Sequence, residues 1–123
     1  MIKKEVSTDV LLAGIIKGIE EVKGNEIDLL DLREIDTAVC DYFVLCTGSS
    51  NTQVNAIVNS IQKVVSKEFK EKPWHVEGTE NGEWVLMDYV SIVVHVFQKE
   101  PREYYNIEGL WGDAKMTRIE TQY

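Results

Sequence analysis

The chain has 123 residues, of which 44% are hydrophobic, and its formal net charge at pH 7 is -8. This length predicts a single domain over residues 1–123, and the hydrophobic fraction is typical of a globular protein and too high for a disordered one. The acidic balance argues against direct binding to a nucleic-acid backbone, which requires a basic patch, and suits a basic protein partner. The alternative is that the negative charge serves only to keep the protein soluble.

The cysteines and the N-terminal residues bear on the cellular compartment. Cys40 and Cys46 lie too far apart along one straight strand for a mutual disulfide, which favours buried thiols in a reducing compartment. Lys3 and Lys4 precede an apolar run that is short for a signal peptide and that no small-residue cleavage site follows. No segment approaches the roughly 20 apolar residues that span a membrane. We therefore expect a cytoplasmic protein that binds no membrane.

A helix and two strands are predicted before residue 50. The helix begins at Ser7 or Thr8, either of which can cap it, and ends near Gly24, which acts as a stop signal. A strand follows over residues 26–32. The continuous apolar run over residues 42–47 indicates a central strand that is buried on both faces.

The second helix has the clearest helical pattern in the chain. Ser50 and Gln53 fit a capping box, in which each side chain accepts a backbone N–H of the first turn. Apolar residues then recur at helical spacing and predict one core-facing stripe. The stripe consists of Val54, Ile57, Val58, Ile61, Val64, Val65 and Phe69.

Three further strands are predicted over residues 74–77, 84–89 and 92–97, with a turn at Asn81-Gly82 between the first two. Pro101 then opens a short helix at its first position. Five apolar residues dock that helix, namely Tyr104, Tyr105, Ile107, Leu110 and Trp111. The polar tail from about residue 113 is expected to be loose. The fold class is therefore α/β, with a mixed sheet of about five strands and flanking helices.

The junction Thr47-Gly48-Ser49-Ser50 between a strand and a helix is typical of anion-binding sites and of nucleotidyltransferases. Those enzymes need a pair of aspartates soon after the junction to hold metal ions. Residues 51–67 contain no acidic residue, so we expect a tight turn with a helix cap and no catalysis.

A zinc site is formally available from Cys40, Cys46, His75 and His95, but none of these residues has the close paired spacing of zinc ligands. We expect neither a metal nor a cofactor. His95 shares one strand face with Val93 and Phe97, which favours a structural role, with an interface role as the alternative.

The strand predicted after residue 83 contains aromatic and acidic residues. Trp84 and Asp88 lie on the same face of the predicted strand, and Tyr89 follows at its end. A large aromatic, an acid and a tyrosine at one sheet edge are typical of a protein-binding patch. A buried Trp84 with Asp88 and Tyr89 in a turn fits the pattern equally well.

Six segments, in the expected order, resemble those of the ribosomal silencing factor family, the Iojap-like proteins. They are DYF at 41–43, TGSS at 47–50, VEG at 76–78, WVLMDY at 84–89, VVHVF at 93–97, and REYY at 102–105 with LWG at 110–112. The resemblance implies a nucleotidyltransferase-like sheet without its catalytic carboxylates, and no enzymatic activity. It also implies a homodimer when the protein is free.

The resemblance implies a translational repressor. Members of the family bind ribosomal protein L-fourteen on the large ribosomal subunit, sterically block association with the small subunit and lower translation under nutrient limitation. Related proteins act in ribosome assembly, so a large-subunit assembly factor is the alternative. A nucleotide-binding or nucleotidyl-transfer enzyme is the third hypothesis.

The contact strand of the family corresponds to residues 84–89 of this chain. The resemblance implies that Trp84 and Tyr89 are aromatic anchors and that Asp88 and Glu77 meet basic side chains of the partner. Met87 is expected to fill apolar gaps. Charged contacts of this kind set orientation and association rate, and aromatic contacts supply most of the affinity.

The sequence departs from the family pattern at two places. Val90 and Ser91 stand where the family usually has glycine and aspartate, and Thr52 stands where a basic residue often precedes the helix-two glutamine. The loss of the glycine predicts a changed turn, and the loss of the acid removes one candidate contact.

Overall fold

The protein forms an α/β domain with one six-stranded sheet, in a computed structural model that describes residues 6–123. The helices are α1 (Thr8–Glu21), α2 (Asn51–Phe69), α3 (Lys99–Tyr105) and α4 (Ile107–Leu110). The strands are β1 (Asn25–Asp31), β2 (Tyr42–Gly48), β3 (His75–Glu77), β4 (Trp84–Asp88), β5 (Ile92–Gln98) and β6 (Lys115–Ile119). The predicted α/β class with a mixed sheet is confirmed.

The strand order is β3-β4-β5-β2-β1-β6, and the central pair of β2 and β5 is parallel while every other described pair is antiparallel. All seven residues of β2 are buried. A strand that is apolar on both faces needs cover on both faces, so its place at the centre of the sheet follows from its composition.

Side chains alternate between two faces of the sheet because successive strand residues point in opposite directions. On the helix face, apolar side chains such as Val44, Met87 and Val94 pack against α1 and α2. The other side is called the open face, since among residues 6–123 only the segment over 99–114 and the loop over 32–41 pack on it. Residues in register across the strands give its members: Asp28, Leu30, Phe43, Leu45, Thr47, Glu77, Trp84, Leu86, Asp88, Val93, His95 and Phe97.

Helix α1 begins as predicted, because the Ser7 hydroxyl accepts the N–H of Val10 at 3.3 Å. It ends earlier than predicted, at Glu21, and Lys23 takes the left-handed conformation with a φ of 58°. Gly24 has a different role, since a Cβ there would lie 2.5 Å from the Ile19 side chain. The glycine permits close packing and is not the stop signal.

Helix α2 has the predicted stripe, with its six aliphatic members buried and Phe69 half-buried. The Ser50 hydroxyl accepts the N–H of Gln53 at 3.1 Å. The Gln53 side chain accepts the N–H of Ser49, one residue before the position that a capping box predicts. The side-chain NH₂ of Gln53 donates to the Lys23 carbonyl at 3.4 Å and so ties α2 to the end of α1.

The prediction of a loose tail from about residue 113 is wrong. Residues 115–119 form β6, which pairs along β1 and raises the number of strands from five to six. Hydrophobic alternation could not predict this strand, because four of its five residues are exposed. Backbone pairing holds it, and the Arg118 guanidinium donates to the buried carboxylate of Asp28.

The segment after β5 is also anchored differently from the prediction. Pro101 is the third residue of α3, which begins at Lys99. Tyr104 and Leu110 are 82% and 74% exposed and therefore do not dock the segment. Trp111 is half-buried against the open face, and Arg102 is the one buried residue of α3.

Arg102 lies at the centre of a buried polar cluster. Its guanidinium donates to Asp28 at 2.7 Å, to Glu108 at 2.6 Å and to the Thr47 hydroxyl at 2.9 Å. Both Arg102 and Asp28 have relative exposures of 6% or less. The planar fork of arginine satisfies several acceptors at once, so the two charges are compensated in the core.

The connection between β4 and β5 is a three-residue turn without glycine. The N–H of Ser91 donates to the Tyr89 carbonyl at 3.0 Å, and Val90 between them has a φ of 75°. This is a γ-turn of the strained kind, and a β-branched residue is rare at such a φ. The Asp88 carboxylate accepts the Val90 N–H at 2.7 Å and helps to hold the turn.

Val90→Gly is expected to raise the free energy of unfolding by about 1 kcal/mol, because glycine adopts this φ without strain and part of the gain is offset by its freedom when unfolded. Urea unfolding measures the change. Val39→Gly is the matched control, since Val39 is 91% exposed and does not have a positive φ. A loss of stability in both variants would contradict the assignment of strain to Val90.

Arg102→Ala is expected to lower the free energy of unfolding by about 3–5 kcal/mol, because it leaves the Asp28 carboxylate buried and short of a partner. Arg33→Ala removes an exposed ion pair with Asp31 and should leave stability nearly unchanged. Parallel denaturant titrations compare the two variants. An Arg102→Ala loss no larger than that of Arg33→Ala would show that the buried cluster does not hold α3.

Candidate protein-binding face

Strand β4 presents three half-buried side chains on the open face, Trp84, Leu86 and Asp88. The neighbouring edge strand β3 adds Glu77 directly opposite Leu86. Sequence reasoning assigned no role to Leu86, although its parity with Trp84 was the signal that could have found it. The structure thus brings an aromatic, an aliphatic and two acidic side chains together.

Trp84 is held on three sides. Its ring stacks on Phe97 at 5.0 Å and lies 4.8 Å from the ring of Tyr105 in α3. Its indole N–H donates to Nδ1 of His95 at 3.1 Å. The side chain is therefore rigid before any partner arrives, which reduces the entropy lost on binding.

His95 lies in the middle of β5 with a relative exposure of 4%. Burial lowers the pKa of its imidazole to about 4, so the ring is neutral at pH 7. Because Nδ1 accepts from Trp84, the single proton is on Nε2, which has no hydrogen-bond partner among residues 6–123. The edge of Phe43 contacts the same ring at 4.7 Å between centroids.

Carboxylates border the apolar part of the face. Glu77 is exposed and lies 2.6 Å from Nε2 of the exposed His75. Asp88 uses one oxygen to accept the Val90 N–H, and its other oxygen faces no partner within the described chain. Together with the net charge of -8, these groups favour a basic partner.

Met87 and Tyr89 lie on the opposite face of β4, packed in the core with the helices, with exposures of 0% and 7%. Burial raises the pKa of the Tyr89 hydroxyl well above its ordinary value. Direct contact of either side chain with a partner stays a prediction, and it requires exposure of a group that the structure buries. Their observed role is to support β4 from behind.

The α3–α4 segment adds exposed aromatic side chains beside Trp84. Tyr105 is 52% exposed where it covers Trp84, and Tyr104 contacts it edge-on at 5.1 Å. The sequence pattern assigned these tyrosines to docking. Asn106, with a φ of 47°, ends α3 directly after them.

Local packing and hydrogen bonding account for the Gly48-Ser49 junction. A Cβ at Gly48 would lie 2.9 Å from the backbone nitrogen of Val54, so the glycine permits close packing of strand and helix. The Ser49 N–H already donates to Gln53. The junction has the predicted form of a tight turn with a helix cap.

A cleft of about 930 Å³ opens beside that junction. Its lining includes Glu26, Glu83 and Glu100 and a single basic residue, Lys99. Three carboxylates against one ammonium group oppose the binding of phosphate.

The four formal zinc ligands do not converge. Cys46 lies on the helix face, and His75 lies on the exposed edge strand. His95 lies on the open face, and Cys40 lies in the loop that packs on that face. Burial raises the pKa of the Cys46 thiol to about 12, which disfavours the thiolate that binds metal. Within residues 6–123, no group of three or more histidine, cysteine or acidic side chains is placed to hold a metal ion.

The family model described as "Ribosomal silencing factor during starvation" matches residues 5–123. The chain belongs to the ribosomal silencing factor family. The resemblance seen in the six sequence segments is thereby confirmed.

Individual relatives agree with this assignment. The ribosomal silencing factor RsfS of Halalkalibacterium halodurans is 36% identical over 115 residues, which cover 94% of this chain and 97% of that protein. A crystal structure of a Chromobacterium violaceum protein matches with a TM-score of 0.82 at 34% identity and covers 95% of this chain and 97% of that one. A mouse protein named "Mitochondrial assembly of ribosomal large subunit protein 1" is 33% identical over 73 residues, 58% of this chain and 32% of its own length.

Within residues 6–123, no helix has the length and apolar character needed to cross a bilayer.

The face around Trp84 combines apolar, aromatic and acidic side chains, a composition that is typical of protein-binding surfaces.

The buried His95 should make stability depend on pH. Its folded pKa of about 4 lies below the ordinary 6.5, so between these values the unfolded chain binds more protons and the free energy of unfolding falls on acidification. The full effect of such a shift is about 3 kcal/mol. Urea unfolding between about pH 7 and pH 4 should show this loss in the native protein and a smaller one in His95→Asn. Parallel pH profiles for the two proteins would contradict a neutral, buried His95.

Proposed function

We propose that this protein represses translation by binding the large ribosomal subunit through ribosomal protein L-fourteen. Bound there, it sterically blocks association with the small subunit and lowers translation under nutrient limitation. The observation that carries the proposal is the row of Trp84, Leu86 and Asp88 on the open face, beside Glu77, in a chain of the silencing factor family.

The chemistry of the row supports a basic protein partner. A rigid aromatic and an aliphatic side chain give desolvated contact area, which supplies most of the affinity at protein interfaces. The neighbouring carboxylates of Glu77 and Asp88 attract basic side chains and fix their register. The net charge of -8 opposes close approach to the phosphate backbone of ribosomal RNA.

The proposed action is non-enzymatic. A folded body of 14.1 kDa that occupies the intersubunit surface excludes the small subunit by volume alone, so repression needs no reacting group. We further propose that the protein acts in the cytoplasm and forms a homodimer when free. Apolar surface that remains exposed on Tyr104, Tyr105 and Leu110 supports self-association in the absence of the ribosome.

A role in large-subunit assembly is the second candidate function. The mouse relative that matches 58% of this chain carries assembly of the mitochondrial large subunit in its name. Both functions use a docking surface on the large subunit. They differ in the particle that is bound, because an assembly factor selects immature particles and a silencing factor binds the mature subunit.

Trp84→Ala is expected to weaken binding to purified ribosomal protein L-fourteen by about 2 kcal/mol or more, as measured by calorimetry, because it removes the large, rigid aromatic side chain of the face. The same variant should restore subunit joining in a sedimentation assay. Trp74→Ala is the matched control, since Trp74 is 81% exposed and lies outside the strands. Full affinity in Trp84→Ala and Leu86→Ala, with the native circular dichroism spectrum, would refute the placement of the binding face.

A further inference from the structure

Two kinds of contact hold Trp84, and they fix different degrees of freedom. The rings of Phe97 and Tyr105 lie on the indole at centroid distances of 5.0 and 4.8 Å. Stacking sets the plane of a ring but tolerates rotation within that plane. A hydrogen bond is directional, so the contact between the indole N–H and His95 Nδ1 at 3.1 Å sets which edge of the indole faces outward.

His95 is a rigid support for that bond. It lies on β5, which is paired on both sides, and its ring is packed against Phe43 and Phe97. Burial keeps the imidazole neutral, and Nδ1 therefore remains an acceptor at neutral pH.

Packing alone does not account for a histidine at this position. Its Nε2–H group is buried with no hydrogen-bond partner in the described chain, and such a group lowers stability relative to an apolar side chain of similar size. The neighbours of the ring on the open face are apolar and aromatic. Within residues 6–123, the one polar contact of the imidazole is the bond from the Trp84 indole.

We propose that His95 is a positioning residue for partner binding, which turns the N–H edge of the Trp84 indole inward so that the partner meets a purely apolar ring edge. This inference rests on the proposed function of the Trp84 face. It specifies the chemistry of the contact further. The fitting group is the aliphatic stem of a lysine or arginine, which packs on the indole while its charged end reaches Glu77, the residue opposite Leu86 and diagonal to Trp84.

A matched pair of amide variants tests the proposal. His95→Asn places its carbonyl oxygen where Nδ1 lies and keeps the acceptor, whereas His95→Gln moves the amide one bond further, to the position of Nε2. Two readouts are compared in the full chain, which are calorimetric affinity for ribosomal protein L-fourteen and the indole N–H resonance of Trp84 in a ¹H–¹⁵N spectrum. Trp84→Phe assigns that resonance among the three tryptophans.

His95→Asn is expected to keep the resonance near its native position and the affinity within about twofold of the native protein. His95→Gln should move the resonance and weaken binding about tenfold. If His95→Gln does not fold, His95→Leu takes its place, since leucine fills the space and offers no acceptor.

Two results would overturn the proposal. In the first, His95→Gln moves the resonance and leaves the affinity unchanged, which shows that the orientation of the indole does not matter to the partner. In the second, both amides weaken binding equally while only one moves the resonance. Failure of the proposed function is distinct from both, because Trp84→Ala itself would then bind as tightly as the native protein.

Discussion

The buried pairing of Arg102 with Asp28 is the interaction on which the open face depends. Helix α3 buries no other residue, so its position is set by this guanidinium and its bonds to Asp28, Glu108 and Thr47. Asp28 in turn accepts from Arg118 and links β6 to the same cluster. The cluster fixes α3 on the sheet and is tied to β6 through Arg118, while backbone pairing with β1 holds β6 itself.

One face of the sheet forms the main core, and the other carries the proposed binding surface. The helix face is a continuous aliphatic core in which β4 contributes Val85 and Met87. The open face is covered only in part, so the alternate residues of the same strand remain accessible. Because Arg102 fixes α3 on the sheet, Tyr105 is held against Trp84, and the rings around Trp84 are preorganised. Preorganisation of this kind lowers the entropy that binding must overcome.

The sequence predicted those parts of the fold that hydrophobic periodicity specifies, such as the stripe of α2 and the doubly buried β2. Sequence reasoning missed β6, because this strand has almost no apolar alternation and is held by backbone pairing with β1 and by the ion pair of Arg118. In the candidate site, Trp84 and Asp88 followed from parity and from the family resemblance. Leu86 has the same parity as Trp84 and was missed although that signal was present. The contact between Trp84 and His95 did not follow, because it depends on the register of two strands that are joined through a strained turn at Val90.

Electron cryomicroscopy of the native protein bound to purified large subunits would show whether the open face around β4 docks on the large ribosomal subunit, as we propose. We expect Trp84, Leu86 and Asp88 to lie in contact with ribosomal protein L-fourteen, with the body of the protein across the surface that the small subunit would occupy. Density that places the α1–α2 face or the β6 edge against the ribosome, with the open face in solvent, would contradict it.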